Sequence, residues 1–367
     1  MKINKSTILI TIITLAFLII AYFLWKLWVY VTIAAVISLI LNPLNLKLKK
    51  IHYKHYYIPS FLRSILLLVV FWAVAFIIAS TIIPLLVNEI YNLASINPEL
   101  LNAKISVPLE GIRKTLYSLG LLNTENSDLS SVLVNKFMYF FNAGNIQNIF
   151  GNIITFVMDI IVAVFVITFI SFFFLKDDKL FTRTILIFVP VSYQTEVKHV
   201  LVSISKMLMR YFSGVVLDMI VVFTLISIGM GITGCNLNTA ILLGLVAALF
   251  NIIPYIGPIL SFSIGMLFGF LTNINYDLNT TILPHMLYMA IVYLTVNILD
   301  ASLIQPFIYS NAIKAHPLEI FIVILASGML SGVIGMMLAI PAYMTLRIIA
   351  KEFFYQFYIV KNLTKNI

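Results

Sequence analysis

The stretch that decides the fold is NIIPYIGPIL, residues 251–260, which lies inside an apolar run from 239 to 271. Pro254 and Pro258 lack a backbone N–H, and Gly257 between them allows a sharp change of chain direction. In hydrocarbon each unpaired backbone N–H or C=O costs several kcal/mol, so helices that cross a bilayer are normally continuous. The stretch therefore predicts a broken helix enclosed by protein or lining a polar passage; a helix merely kinked against its neighbours is the alternative.

Composition supplies the evidence for a bilayer. The chain of 367 residues is 62% hydrophobic and 10% charged, with a mean hydropathy of +1.07, whereas soluble domains are about 45–50% apolar and about 25% charged. This composition predicts an integral membrane protein. The net charge of +9 is better explained by basic cytoplasmic loops than by nucleic-acid binding, and the single cysteine, Cys235, excludes an intramolecular disulfide.

Hydropathy predicts an all-α polytopic protein with eight hydrophobic segments. About six segments have the length of one crossing, which is about 20 residues, and lie near 6–24, 27–44, 61–84, 150–175, 212–234 and 282–304. The first lacks a small-residue cleavage site and is interpreted as a retained span. Two further stretches, 239–271 and 317–350, are too long for one ordinary crossing and are predicted to be re-entrant helical hairpins; two complete crossings in each stretch are the alternative.

The basic residues predict the orientation. With the N-terminus inside, all lysines and arginines fall in cytoplasmic segments except Lys26, Lys104, Arg113, Lys114 and Lys136. This bias follows the positive-inside rule, and it predicts cytoplasmic N- and C-termini.

The same pattern divides the chain into five parts. These are an N-terminal three-span bundle (1–84), an extracytoplasmic amphipathic helical segment (85–149), a span with cytoplasmic interfacial helices divided by Pro190 (150–210), a core (211–350) and a cytoplasmic tail (351–367). The external segment would suit contacts between subunits of a homo-oligomer.

The second over-long stretch, 317–350, also contains helix-breaking residues near its middle. Gly328, Gly332 and Gly335 lie at its apparent tip and Pro341 follows, although small residues four apart are also typical of helix-packing surfaces. Span 212–234 with stretch 239–271, and span 282–304 with stretch 317–350, form a span-hairpin pair used twice in opposite orientations. Inverted repeats of discontinuous helices indicate a secondary transporter.

Acidic residues inside spans cost about 2.5–3.5 kcal/mol on insertion scales, so each is a functional candidate. Asp218 lies within span 212–234, and Asp300 lies near the end of 282–304, shortly before Gln305. We expect them to bind a proton or Na⁺. The structural alternatives are a hydroxyl or Arg210 as the partner of Asp218, and a capping role or pairing with Lys314 for Asp300. Asp159, Glu319 and His285 are weaker candidates, and no cluster has metal-ligand spacing.

Three motifs resemble the autoinducer-2 exporter family, which is also known as the PerM-type permeases. They are LLGLVAALFNIIPYIGP (242–258), NILDASLIQPFIYSNAIKAHPLEI (297–320) and LSGVIGMMLAIPAYMTLRI (330–348). The chain departs from the family pattern at Val215, where a glutamine is usual, and at Ser327, where a glycine is usual. The resemblance implies a multi-pass inner-membrane transporter, and it associates members with export of autoinducer-2 or with Na⁺/H⁺ antiport.

The leading hypothesis is therefore a permease that exports a small solute such as autoinducer-2, or exchanges monovalent cations, without a cofactor beyond coupling to H⁺ or Na⁺. A passive channel and a structural subunit of an envelope complex are the alternatives. A membrane-embedded enzyme is disfavoured because hydrolase and metalloprotease motifs are absent. A Walker A motif is also absent, so this chain is not expected to power an ATP-driven pump itself. The expected partners are the substrate and membrane lipids, not nucleic acid. The predicted substrate or ion site comprises Asp218, Asn251, Pro254, Tyr255, Gly257, Pro258, Asp300, Gln305, Gly332 and Gly335.

Overall fold

A computed structural model describes residues 24–50, 52–53, 56–94, 153–177, 179–306 and 316–354, together with a few positions between 99 and 118. This part of the chain is helical apart from one short strand pairing. The predicted first span, most of segment 85–149 and the tail beyond 354 lie outside the described residues. The predicted five-part division stays a prediction.

Nine α-helices follow in order within the described residues. They are α1 (Trp25–Lys49), α2 (Ser60–Ala94), α3 (Ile153–Lys176), α4 (Leu180–Ile187), α5 (Gln194–Ile232), α6 (Leu237–Phe250), α7 (Ile256–Thr272), α8 (Leu283–Leu299) and α9 (Pro317–Phe354). Strands β1 (His52–Tyr53) and β2 (Tyr56–Tyr57) pair antiparallel between α1 and α2. A 3-10 turn (Val191–Tyr193) precedes α5, and π-helical turns (Leu278–Ile282 and Asp300–Ile304) flank α8.

Five of these helical segments are long and apolar enough to cross a membrane. They are Leu27–Lys49, Ser60–Leu85, Val191–Ile232, Leu278–Ile304 and Pro317–Phe353, the last of which is interrupted at Ser331 and Gly332. The bent pair Ile160–Lys176 and Leu180–Ile187 could form a sixth. A helical fold with several helices of membrane-spanning length is thereby confirmed for the described residues, whereas the total of about six spans and the inverted repeat stay predictions. One boundary differs from the prediction: the interfacial segment before 210 and span 212–234 form the single helix α5, because no proline interrupts the chain between 194 and 232.

The described chain divides into two compact units. Unit 1 comprises Met1–Ala73 and Ile154–Phe212, and unit 2 comprises Val74–Ile153 and Ser213–Ile367. The core of unit 1 joins apolar residues of α1, α2 and α3, including Ala34, Leu67 and Ile167. The core of unit 2 joins α5, α6 and α8, with α7 packed against it.

The stretch 239–271 is broken where the sequence predicts. α6 ends at Phe250, α7 begins at Ile256, and the two helices pack against each other as the first hairpin. Tyr255 between them has φ +66° and ψ −47°, and the Ile256 N–H donates to the Pro254 carbonyl oxygen at 2.8 Å. This is the geometry of a γ-turn with positive φ, which is rare for a residue with a Cβ. At Gly257 a Cβ would overlap the carbonyl oxygen of Phe250, so this close approach requires glycine.

The stretch 317–350 also folds back on itself. Ser331 and Gly332 leave helical geometry inside α9, and Gly332 has φ +61° and ψ −144°, a region essentially limited to glycine. The Tyr343 hydroxyl donates a 2.9 Å hydrogen bond to Glu319 Oε2, 24 residues earlier. An unbroken helix would place these residues ~36 Å apart. The two legs of α9 therefore form a second hairpin with its tip at Gly332.

Replacing Gly257 with alanine tests the tight turn of the first hairpin. The added methyl would meet the Phe250 carbonyl oxygen, so we expect Gly257→Ala to lower the free energy of unfolding by ~1–3 kcal/mol. The measurement is the thermal unfolding midpoint of the purified protein. Gly231→Ala is the matched control, because a Cβ there meets no atom within 4 Å, and it should leave the midpoint unchanged or raise it. Equal midpoints for the two variants would contradict this account.

Candidate substrate and ion site

Three helices of unit 2 carry apolar stripes that end in polar residues at the same level. Buried residues recur at helical spacing on each: Val222, Ile226 and Met230 on α5; Ala240, Leu243 and Ala247 on α6; Met289, Tyr293 and Val296 on α8. Residues four apart lie on one face of a helix. Continuing each stripe by four residues gives Asp218 on α5, Asn251 at the end of α6 and Asp300 after α8.

Close packing fixes the register of these helices. Gly244 of α6 lies against Ser227 of α5, and Gly229 of α5 lies against Val292 of α8. The second contact between α5 and α6 joins Asn251 to Asp218. From the first contact to the second, α6 advances by seven residues whereas α5 goes back by nine, so the two helices are antiparallel and their polar ends meet.

Asn251 bridges the two aspartates. Its Nδ2 donates to Asp218 Oδ2 at 3.1 Å and to Asp300 Oδ2 at 3.4 Å. Both carboxylates are 2% exposed. One amide nitrogen thus holds together side chains from two separate helices, and we name Asp218, Asn251, Asp300 and Gln305 the carboxylate–amide cluster.

Gln305 joins the cluster through the π-helical turn. Its Nε2 donates to Asp300 Oδ2 at 2.8 Å. In a regular α-helix residues five apart project about 140° away from each other, but the wider turn at Asp300–Ile304 returns Gln305 to the side of Asp300. Such single wide turns inside helices are frequent at functional sites.

Asp300 retains an unused acceptor. Its Oδ2 accepts from both amides, whereas Oδ1 has no hydrogen-bond partner among the described residues. No described lysine or arginine forms an ion pair with Asp300. The proposed alternative partner Lys314 lies outside the described residues. The cluster can therefore offer carboxylate oxygen to a proton or a small cation.

The remaining predicted residues form the hairpin tips. Pro254, Tyr255, Gly257 and Pro258 make the break that directly follows Asn251, so they position the end of α6 beside the carboxylates. The Tyr255 ring packs edge-on against Phe321 of α9, with centroids 6.0 Å apart.

Gly332 and Gly335 shape the tip of the second hairpin instead. A Cβ at Gly335 would overlap the Ser327 carbonyl oxygen, and Gly332 has open space around it. The described contacts do not bring these two glycines to the carboxylates.

The sequence ranked one polar group too low. Glu319 accepts from Tyr343, and the guanidinium of Arg347 lies 5.6 Å from the centre of the Tyr343 ring. Arg347 is only 7% exposed. The signal for this group was an arginine four residues after a tyrosine within a long apolar helix, since residues four apart are neighbours on one face.

A cysteine–histidine pair lies at the opposite end of these helices. Cys235 Sγ is 3.6 Å from His285 Nε2, and burial raises the pKa of the Cys235 thiol. Among the described residues no three His, Cys, Asp or Glu side chains are grouped as a metal site would require. Asp159 belongs to α3, but its side chain lies outside the described set.

The model of the protein family described as "AI-2E family transporter" matches residues 11–354 of this chain. The chain belongs to this family. The match covers every element of both hairpins and all four residues of the carboxylate–amide cluster.

Two relatives come from Bacillus subtilis (strain 168). "Putative transport protein YueF" is 27% identical over 312 residues, which are 85% of this chain and 80% of that protein. "Putative transport protein YrrI" is 26% identical over 213 residues, which are 58% of this chain and 57% of that protein. A shorter similarity, 44% over 48 residues or 13% of each chain, links this AI-2E family transporter to "Putative transport protein MT0215" of Mycobacterium tuberculosis (strain CDC 1551 / Oshkosh). The names of these relatives describe transport rather than catalysis.

Membership makes this chain a multi-pass membrane transport protein. The family match agrees with the resemblance seen in the motifs at 242–258, 297–320 and 330–348. It leaves the transported solute and the coupling ion to be inferred from the site.

The buried hydroxyl of Tyr293 allows a test of how the core around the site is packed. Tyr293 is fully buried, and its hydroxyl has no hydrogen-bond partner among the described residues. Removing such a hydroxyl relieves a desolvation cost of ~1–3 kcal/mol, so Tyr293→Phe should raise the unfolding midpoint. Tyr288→Phe, on the exposed side of the same helix, should leave it unchanged. A lower midpoint for Tyr293→Phe would show that the hydroxyl is satisfied in the folded protein.

Proposed function

We propose that this AI-2E family member is a secondary transporter in which the carboxylate–amide cluster binds and releases a proton or Na⁺. The observation that carries the proposal is the bridging of two buried aspartates from separate helices by Asn251, at the break of the first hairpin. Coupling to a monovalent cation would drive export of a small solute such as autoinducer-2, or cation exchange would itself be the activity.

The charge of the cluster supports a cation as the ligand. Asp218 Oδ2 and Asp300 Oδ2 both lie within hydrogen-bonding distance of one nitrogen, so the carboxylates are close neighbours. Two ionised carboxylates repel each other more strongly in a buried site than in water. A proton or a cation between them offsets this repulsion, and the unused Oδ1 of Asp300 offers a place to bind it.

The chemistry of the neighbouring groups favours a reversible site. The described partners of the Asp300 carboxylate are the amides of Asn251 and Gln305, not a cation that would neutralise it permanently. An amide can turn its carbonyl oxygen toward Na⁺ or its nitrogen toward a carboxylate. The same residues can therefore serve both the occupied and the empty site.

The hairpins provide the element that moves. α6 and α7 have 14 and 17 residues, which correspond to ~21 and ~26 Å and fall short of the roughly 30 Å hydrocarbon core. We therefore propose that the first hairpin is re-entrant, with its tip and the cluster inside the membrane. The second hairpin would be its inverted counterpart, and movement of either tip would expose the cluster to one side of the membrane at a time.

Placement in a bacterial inner membrane with both termini in the cytoplasm belongs to the same proposal. The distribution of basic residues supports that orientation. A homo-oligomer is a further part of it, supported by the amphipathic pattern of segment 85–149.

A flux assay tests the function. The purified protein is reconstituted into liposomes, and uptake of Na⁺, Li⁺ and autoinducer-2 is measured with and without an imposed pH gradient. We expect gradient-dependent flux in the wild type and a decrease of at least about tenfold, equivalent to ~1.4 kcal/mol, for Asp218→Asn and Asp300→Asn. Glu196→Gln removes an exposed carboxylate from α5 and should retain the wild-type flux.

The pattern of fluxes separates the alternatives. A passive channel would carry solute at a rate that does not respond to the gradient, in the wild type as well as in both aspartate variants. A structural subunit would give the flux of protein-free liposomes for every variant. Either result would contradict coupled transport, as would wild-type flux in both aspartate variants.

A further inference from the structure

We propose that unit 1 carries a binding site for the headgroup of an anionic phospholipid, formed by Lys47, Lys49, Lys50, Arg63 and Lys176. This surface, which we call the basic rim, lies where α1 ends, α2 begins and α3 ends. It shares no residue with the carboxylate–amide cluster and does not depend on the proposed transport activity.

Two polar contacts bring the three helix ends together. Asn45 is buried near the end of α1, and its Nδ2 donates to the carbonyl oxygen of Leu175 in α3 at 3.1 Å. Arg63 of α2 donates from Nε to Asn45 Oδ1 at 3.2 Å. Asn45 therefore holds the three helix ends together. The five cationic side chains belong to these ends, within two helical turns of Asn45 or of the residues that it contacts.

Arg63 is held in position before any ligand binds. Besides its bond to Asn45, one Nη donates to the carbonyl oxygen of Ile58 at 2.9 Å. A guanidinium has five N–H donors in a planar fork, so three remain that no described residue accepts. A half-buried arginine with fixed orientation and spare donors suits a phosphate, which accepts two parallel hydrogen bonds from such a fork.

The lysines add charge that is not neutralised within the protein. Lys47, Lys49 and Lys50 are exposed and have no carboxylate partner in the described chain. Lys176 lies over the rings of Phe172 and Phe173, with its Nζ 5.8 and 5.9 Å from their centres, which directs its ammonium along the end of α3.

The adjacent carboxylate is already engaged. Asp177 lies 4.0 Å from Arg183 and accepts from the backbone N–H of Lys179 at 3.0 Å. The basic rim consequently keeps its positive charge.

The surface beside the basic rim identifies a lipid rather than a soluble anion as the occupant. Leu44, Leu46, Phe61 and Leu62 are exposed next to the basic residues. Apolar side chains suit acyl chains, whereas the cations one turn away suit the phosphate, and clusters of basic residues at the ends of membrane helices attract anionic lipids. A soluble polyanion would satisfy the charges but leave the apolar surface uncovered.

Spin-labelled lipids test the proposal. The purified protein is reconstituted in phosphatidylcholine liposomes that contain a trace of spin-labelled phosphatidylglycerol or phosphatidylcholine, and the motionally restricted fraction of each lipid is measured. We expect the wild type to prefer phosphatidylglycerol by at least about threefold at low salt, and this preference should decrease as NaCl screens the charges. Symmetric liposomes make the result independent of orientation.

Two sets of variants decide the site. The triple variant Lys47→Gln, Lys49→Gln, Lys50→Gln should show no preference between the lipids, and Arg63→Lys should lose part of it because the fork is gone. The control triple variant Lys198→Gln, Lys206→Gln, Arg210→Gln removes the same charge from exposed positions of α5 and should keep the wild-type preference. Circular dichroism and gel filtration verify that each variant folds.

Three results would overturn the proposal. They are equal restriction of both lipids in the wild type, loss of the preference in the control triple variant, and wild-type preference in the rim triple variant. A preference that also disappears when a soluble oligonucleotide is added at low salt would assign the basic rim to polyanions in general and would equally overturn the lipid proposal.

Discussion

The need to pair every backbone polar group in hydrocarbon constrains this whole structure. Continuous helices meet it by themselves, and most of the described chain consists of them. Within the apolar stretches 239–271 and 317–350, the described chain leaves helical geometry at residues 251–255 and 331–332 and folds back on the protein there. Each reversal depends on glycine: Gly257 admits the Phe250 carbonyl oxygen, and Gly332 takes a positive φ.

Close helix packing converts these reversals into a site. Without a hydrophobic force between helices in lipid, small residues that permit close approach supply much of the association. Gly244, Gly265 and Gly269 admit Ser227, Tyr293 and Met289 against the helix backbones of the first hairpin. That packing determines which residues face one another at the ends of the helices. The carboxylate–amide cluster is the polar end of a core that is otherwise apolar.

Local sequence predicted the helices and their breaks more accurately than the contacts between them. Pro254, Gly257 and Pro258 located the break within a few residues, and the position of Asp300 near the end of an apolar span marked it as a candidate. The bridge from Asn251 to both aspartates depends on the register of three helices, which comes from contacts between residues 33 and 49 apart. The predicted interfacial segment 176–210 divides near Pro190, but its second part, from 194 to 210, continues into span 212–234 as the single helix α5, because no proline ends it. Glu319 was underrated because its partner Tyr343 becomes adjacent only after the chain reverses.

The sharing of one nitrogen by two carboxylates has a mechanical consequence. Asn251 ends α6, so its amide moves with that leg, whereas Asp218 and Asp300 belong to helices on either side. A displacement of the leg by even half an ångström toward one helix shortens one contact and stretches the other past hydrogen-bonding range. The two aspartates therefore share one hydrogen-bond donor, so any shift of the leg that strengthens the contact with one of them weakens the contact with the other.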